Sequence, residues 1–204
     1  MTAITTPATA TLADRLLPAR WGRVTWVRSA TLVLAFALLT ALFAQIKITL
    51  GFTPVPITGQ TFAVLLSGTA LGVRRGAASQ LLYWVLGLVG LPFYAGSKHG
   101  WKIATGSTFG YFIGFIAAAA LVGALAERRQ DRTLLTSLPA MLAGTVVIYV
   151  FGAAWLAHKL NIPVATGEKN AIAFGVTPFL IGDAIKVVLA GGLTPLAWRF
   201  AGPE

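Results

Sequence analysis

Two charged side chains, Asp183 and Lys186, stand inside an otherwise apolar run from Phe179 to Leu189. At positions i and i+3 they share one face of a helix. Each would cost about 2.5 to 3.5 kcal/mol at the centre of a bilayer if it faced lipid, and ionisable groups in such segments usually serve a function. A neutralising pair that only holds helices together is the alternative. Because a pair within one helix leaves most of its donors and acceptors free, we interpret Asp183 and Lys186 as the polar floor of a solute pocket.

A polar, glycine-rich segment from Gly96 to Gly106 is the second candidate. It carries Lys98, His99, Trp101 and Lys102, and long loops are often lids or binding loops. Taken alone, a solvated basic loop is the better explanation. Aromatic residues expected near the same end of the helices strengthen the binding interpretation, although an interfacial aromatic belt explains many such residues. They are Tyr83, Trp84, Phe93, Tyr94 and Tyr111.

Motifs for enzymatic chemistry are absent from the sequence. It has no GxxxxGK[ST] loop for ATP phosphates, no His/Asp/Glu set with metal-ligand spacing, no Ser/His/Asp arrangement and no cysteine. Asp183 alone could serve a proton relay, but no second buried carboxylate continues one. We therefore predict a protein that binds and moves a small solute, with no enzymatic activity, no cofactor and no metal.

The composition indicates that membrane-spanning helices carry these residues. Only 11% of the 204 residues are charged and 56% are hydrophobic, whereas soluble domains carry about 25% charged residues. The net charge of +10 does not indicate nucleic-acid binding, because all arginines fall in four clusters that flank apolar segments. These clusters are residues 15–28, Arg74 and Arg75, residues 128–132, and Arg199. The expected surroundings are membrane lipid.

Six apolar stretches approach the length of about 20 residues that crosses a bilayer. The stretches are 28–48, 60–73, 77–91, 109–126, 139–160 and 171–198. Prolines in TPVPIT separate the first stretch from the second, and a turn at Arg74-Arg75-Gly76 separates the second from the third. A kink is expected in the last stretch, near Pro178 and Gly182. We predict an all-α membrane protein with an N-terminal cytoplasmic tail, residues 1–27, and a single six-helix transmembrane domain, residues 28–204.

The basic residues also predict an orientation. With six spans, both termini and loops 2–3 and 4–5 lie on one side, and these segments hold every arginine. Loops 1–2, 3–4 and 5–6 hold only lysines. Because the more positively charged side of a membrane protein stays inside, and every arginine lies on the side of the termini, both termini are predicted to be cytoplasmic. No signal peptide is expected, since no apolar segment with a cleavage site occurs in the first twenty residues.

Four ordered motifs resemble those of the BioY family, the biotin-capturing S components of energy-coupling factor (ECF) transporters. The motifs are PVPITGQT (Pro54 to Thr61), LSGTALGVRRGAASQLLYWVLGLVGLPFYAG (Leu66 to Gly96), TGSTFGYFIGF (Thr105 to Phe115) and FLIGDAIKV (Phe179 to Val187). The resemblance implies a compact six-helix fold in the bacterial cytoplasmic membrane, with loops 1–2 and 3–4 closing over biotin. It also implies a transmembrane coupling protein and two cytoplasmic ATPase subunits as partners.

The resemblance implies roles for particular residues as well. Asp183 and Lys186 suit the ureido ring of biotin, which offers N–H donors and a carbonyl acceptor, and Lys98, His99 or Lys102 would receive its carboxylate. The remaining predicted substrate-binding residues are Thr58, Gln60, Tyr83, Trp84, Gly96 and Tyr111. Small residues on the first helix of such proteins face the coupling protein, and the AxxxA spacing of Ala37 and Ala41 fits close helix packing.

Three alternatives remain at this point. The first is an S component for another vitamin, such as thiamine or riboflavin, which the PVPIT and GDxxK patterns disfavour. The second is a structural membrane subunit with a buried ion pair and no ligand, which the basic outer loop disfavours. The third is an integral membrane enzyme, for which the sequence has no catalytic set.

Overall fold

The computed structural model describes residues 11–16 and 25–201 of the chain. The rest of the predicted N-terminal tail and the last three residues lie outside the described residues. Helices dominate the fold, with one two-stranded hairpin. The elements are α1 (Leu12–Leu16), α2 (Thr25–Gln45), β1 (Lys47–Ile48), β2 (Ile57–Thr58), α3 (Gln60–Leu88), α4 (Trp101–Ala104), α5 (Phe109–Glu127), α6 (Leu134–Leu160), α7 (Ala171–Gly175), a 3-10 turn (Thr177–Phe179) and α8 (Leu180–Phe200).

Four segments of the described chain are long and apolar enough to cross a membrane. They are Trp26–Gln45, Phe109–Glu127, Leu134–Leu160 and Ala171–Phe200. Each overlaps a stretch that the sequence predicts to span, and the ends differ by only a few residues, apart from the earlier start of α6. The last segment is interrupted between α7 and α8, where Pro178 lies in the 3-10 turn. The kink predicted near Pro178 is therefore confirmed, whereas Gly182 lies within regular α8.

Helix α3 folds back on itself at Gly72. This glycine has φ +78° and ψ −176°, a backbone conformation that side chains with a Cβ rarely adopt. The Gln60 side chain donates to the Tyr83 hydroxyl at 2.7 Å, which a straight helix would hold about 34 Å apart. The two arms, 60–71 and 73–88, therefore lie antiparallel. The predicted pair of short helices is correct, but the reversal precedes the predicted Arg74-Arg75-Gly76 turn.

The core forms where the α3 arms pack against α5. A Cβ on Gly123 of α5 would lie 2.5 Å from the Gly72 carbonyl carbon, so only glycine permits this approach. Ala37 and Ala41 of α2 belong to the same core, with 0% and 6% of their surfaces exposed. The structure thus contradicts the prediction that these two alanines face a coupling protein. Their AxxxA spacing does mark a close helix contact, but the contact is internal.

The described residues beside the four arginine clusters lie at one end of the molecule. Asp14 of α1 binds Arg75 near the α3 reversal, with Oδ2 to Nη2 at 2.5 Å, and Glu127 at the end of α5 accepts from the Val73 amide at 2.9 Å. After α5, Asp131 accepts from the Trp198 indole of α8 at 2.6 Å. These contacts join the regions of all four clusters.

Candidate functional site

A cavity of about 260 Å³ lies beside the start of α3, away from the reversal at Gly72. Its walls come from the segment around the β1–β2 hairpin, the segment 94–108, and helices α5, α6 and α8. Its volume is slightly below the usual range of small-molecule pockets, about 300 to 1,000 Å³, so it suits a small solute. The lining residues are 54–56, Thr58, Gln60, Thr61, Tyr94, Ala95, Lys98, Lys102, Ile103, 106–108, Tyr111, Phe112, Phe115, Ile148, Tyr149, Phe179, Asp183 and Lys186.

Asp183 is the buried acidic group of this cavity, with 4% of its surface exposed. Its Oδ2 accepts a hydrogen bond from the Tyr149 hydroxyl at 2.6 Å. Its Oδ1 accepts from the Thr61 hydroxyl at 3.0 Å and from Lys186 Nζ at 2.7 Å. Three helices therefore meet at one carboxylate: α3 through Thr61, α6 through Tyr149, and α8.

Lys186 completes the polar floor. Besides Asp183, its ammonium donates to the Thr58 carbonyl at 2.5 Å, which leaves one of its three donors for a ligand. The sequence predicted that the pair would keep most of its hydrogen-bonding groups free, and this is wrong. The prediction considered one helix alone, whereas neighbouring helices supply further partners. A carboxylate has about four acceptor positions, so Asp183 retains about one.

A chain of hydrogen bonds leads from this floor away from the cavity. The Thr58 hydroxyl donates to Gln60 Oε1 at 2.8 Å, Gln60 Nε2 donates to the Tyr83 hydroxyl at 2.7 Å, and Tyr83 donates to the Phe93 carbonyl at 3.3 Å. Thr58 and Gln60 line the cavity. Tyr83 is buried behind Gln60 and does not line it.

Two lysines of the segment 94–108 line another wall of the cavity. Lys98 and Lys102 line it and are exposed to solvent. His99 is exposed and is not among the lining residues. Gly96 is also outside the lining; its positive φ of +72° shapes the turn, beside the Lys47 side chain. An anionic group of a ligand would therefore meet Lys98 or Lys102.

The predicted aromatic residues divide into two groups. Tyr111 lines the cavity with its ring while its hydroxyl donates to the Gly175 carbonyl at 2.6 Å. Trp84 does not line the cavity; its indole donates to the Ala104 carbonyl at 3.2 Å. Of the nine predicted substrate-binding residues, the lining includes Asp183, Lys186, Thr58, Gln60, Lys98 and Tyr111, and leaves out Tyr83, Trp84 and Gly96.

Several lining residues were missed by the sequence reasoning. Thr61 belongs to the quoted PVPITGQT motif, and Phe112 and Phe115 belong to TGSTFGYFIGF, so those motifs held an unused signal. Tyr149 lies in the middle of α6, where a single neutral polar side chain in an apolar run gives no distinctive pattern. Only the fold shows that its hydroxyl reaches Asp183.

Comparisons with known proteins agree with the resemblance seen in the motifs. The BioY family model matches residues 10–202. The biotin transporter BioY of Rhizobium etli is 37% identical over 167 residues, which cover 74% of this chain and 87% of that protein. The probable biotin transporter BioY of Pyrococcus horikoshii is also 37% identical, over 163 residues that cover 80% of this chain and 91% of that protein.

A solved structure shares the fold. It is the crystal structure of the S-component for biotin from an ECF-type ABC transporter, which matches with a TM-score of 0.77 and 24% sequence identity. The match covers 87% of this chain and 94% of that one. The helical arrangement described above is therefore that of an S component.

Proposed function

Because the chain belongs to the BioY family, we propose that it captures biotin outside the cell as the substrate-binding S component of an ECF transporter. The single observation that best supports this function is the cavity itself. It places a carboxylate–ammonium pair at its floor and two lysines in the segment that forms another wall. Biotin carries a polar ureido ring at one end and a carboxylate at the other, so the two ends of the ligand match.

The proposed pose follows from the donors and acceptors that remain. The third donor of Lys186 faces the ureido carbonyl. The ureido N–H groups donate to the remaining acceptor position of Asp183 and to the Tyr149 oxygen, whose own proton is directed at Asp183. The apolar rings and chain of biotin contact Phe112 and Phe115, and its carboxylate binds Lys98 or Lys102.

Calorimetry on the purified chain tests the function. We expect tight binding of biotin without ATP, and binding of desthiobiotin, which keeps the ureido ring. Thiamine and riboflavin serve as controls, and neither should bind. A well-folded preparation that gives no heat with micromolar biotin would contradict the proposal, and heat with another vitamin would assign the fold to that solute.

The membrane arrangement is a further part of the proposal. The two arms of α3 would each cross the bilayer beside the four longer segments, which gives six spans in the bacterial cytoplasmic membrane and places both termini in the cytoplasm. The contacts that join the regions of the four arginine clusters support this orientation. A transmembrane coupling protein and two cytoplasmic ATPases would then drive release.

The absence of cysteine makes the orientation simple to test. Single cysteines at Thr2 and Glu204 should resist an impermeant thiol reagent in intact cells, and a cysteine at Gly167 should react. Strong labelling at either terminus would overturn the six-span arrangement.

A further inference from the structure

Two tryptophans outside the cavity bind the segment that forms one of its walls. The Trp84 indole of α3 donates to the Ala104 carbonyl at 3.2 Å. The Trp155 indole of α6 donates to the Gly106 carbonyl at 2.9 Å. Ala104 is the last residue of α4, and Gly106 lies in the short connection between α4 and α5. This stretch of the chain contributes Lys102, Ile103, Gly106, Ser107 and Thr108 to the lining.

The Phe109 ring connects the two indoles. Its centroid lies 5.9 Å from that of Trp84 and 5.0 Å from that of Trp155, in tilted and edge-on arrangements that are favourable for aromatic pairs. Residues 104–109 are thus attached to two different helices through hydrogen bonds and ring contacts. The internal backbone bonds of this wall are those of short local turns, since α4 is only four residues long.

We infer that Trp84 and Trp155 are positioning residues that hold this wall against the ligand and thereby set how long biotin stays bound. Neither residue lines the cavity, so both act through the backbone of the segment 104–106. The inference on residence time rests on the proposed function. The anchoring itself does not, because it concerns the empty protein as well.

The two indoles should contribute unequally. The Gly106 carbonyl also accepts from the Phe109 amide at 3.2 Å, so it keeps a partner when Trp155 loses its donor. Within residues 11–16 and 25–201, the Trp84 indole is the one donor that reaches the Ala104 carbonyl. Ala104 is fully buried, and an unpaired buried carbonyl costs more than the loss of one of two partners.

Three phenylalanine variants test the inference: Trp84→Phe, Trp155→Phe and the control Trp101→Phe. Phenylalanine keeps an aromatic ring and removes the N–H donor. Trp101 lies on the same segment but is 69% exposed and does not line the cavity. Biotin dissociation should be roughly five- to a hundredfold faster in Trp84→Phe and about two- to tenfold faster in Trp155→Phe. The control should match the unchanged protein, and association rates should change little.

Hydrogen exchange in the absence of ligand provides the second readout. The amides of Thr105 and Gly106, which bond within the α4 turn, should exchange faster in Trp84→Phe and Trp155→Phe, while α5 and α6 keep their protection. A general structural role would instead raise exchange throughout the helices and lower the melting temperature, with an unchanged dissociation rate in the folded fraction. That result would overturn the inference.

The two proposals fail in different ways. If the unchanged protein does not bind biotin, the proposed function and the claim on residence time both fall, and exchange at Thr105 and Gly106 still decides the anchoring. If it binds biotin but both variants dissociate at the rate of Trp101→Phe, the positioning role is wrong and the proposed function stands.

Discussion

Replacing Asp183 with asparagine tests the polar floor of the cavity. The carboxylate accepts from Tyr149, Thr61 and Lys186 at 2.6, 3.0 and 2.7 Å, and asparagine has only one oxygen. If that oxygen faces Thr61 and Lys186, the new NH₂ group faces Tyr149, whose hydroxyl must turn to accept. The reverse orientation directs NH₂ at an ammonium, which cannot accept. In the first orientation Tyr149 is no longer oriented to receive a ureido N–H.

The expected loss of affinity follows from the bonds removed. Hydrogen bonds to a charged group contribute about 1.5 to 3 kcal/mol, so biotin should bind roughly ten- to a hundredfold more weakly to Asp183→Asn. Stability should fall as well, because the carboxylate joins α3, α6 and α8 and because Lys186 loses its counter-ion. A lower melting temperature alone therefore does not separate a binding role from a structural one.

A second variant provides the calibration. Ser67 is fully buried, accepts from Gln80 Nε2 at 2.9 Å, and lies outside the cavity lining. Ser67→Ala should lower the melting temperature of ligand-free protein and leave biotin affinity unchanged. Both variants are compared by calorimetry and thermal unfolding in monodisperse detergent samples. If Asp183→Asn also lost stability but bound biotin normally, the Asp183–Lys186 pair would belong to the scaffold, and our reasoning about the floor would be refuted.

Three further outcomes are expected. Gly72→Ala should destabilise the fold by about 1 to 3 kcal/mol through its positive φ. Gly192→Ala, inside α8 and with open space at its Cβ, should unfold at the same temperature as the unchanged protein or slightly above it. Burial opposes ionisation of Asp14, but bonds from Arg75 and Thr11 and the nearby arginine charges outweigh it and hold its pKa below the ordinary 3.8. Ionised Asp14 therefore stabilises the folded protein fully above pH 3.8, and this contribution is lost as the pH falls through the lowered pKa of the folded state. The melting temperature of Asp14→Asn should lie below that of the unchanged protein by an amount that is constant above pH 3.8 and shrinks in stronger acid. Lys102→Gln should slow biotin association and reduce its dependence on salt, as stopped-flow kinetics would measure; an unchanged salt dependence would exclude steering by this residue.

The sequence predicted the charged residues of the site better than their neutral partners. Burying Asp183 and Lys186 in an apolar run is costly, so their presence alone indicates a function. Thr61 and Tyr149 cost little in such a run and give no equivalent signal, although both bind Asp183.

The relatives are named as transporters, and membership of their family confirms that this chain is not an enzyme.

The errors in the fold have a common physical origin. Hydropathy locates apolar segments, but it does not show which face of a helix packs against which neighbour. The AxxxA spacing predicts that Ala37 and Ala41 face another protein, yet both are buried in the core of this one. The α3 reversal was placed at two arginines because charge suggests a turn. Instead, Gly72 supplies the required backbone conformation, and Arg75 remains helical and binds Asp14.

The aromatic residues show why proximity to a loop does not imply contact with a ligand. A tyrosine or tryptophan buried in an apolar bundle needs a partner for its polar tip, and backbone carbonyls at helix ends and in loops need donors in turn. Here the aromatic N–H and O–H groups donate to such carbonyls. These bonds hold the segments around the cavity in place, and they do not require the aromatic groups to contact the ligand. Tyr111 and Tyr94 do both. Each lines the cavity, while the Tyr111 hydroxyl donates to the Gly175 carbonyl before the break between α7 and α8 and the Tyr94 hydroxyl donates to the Trp84 carbonyl at 2.6 Å. The pairs are Tyr83 with the Phe93 carbonyl, Trp84 with Ala104, Tyr94 with Trp84, Trp155 with Gly106 and Tyr111 with Gly175.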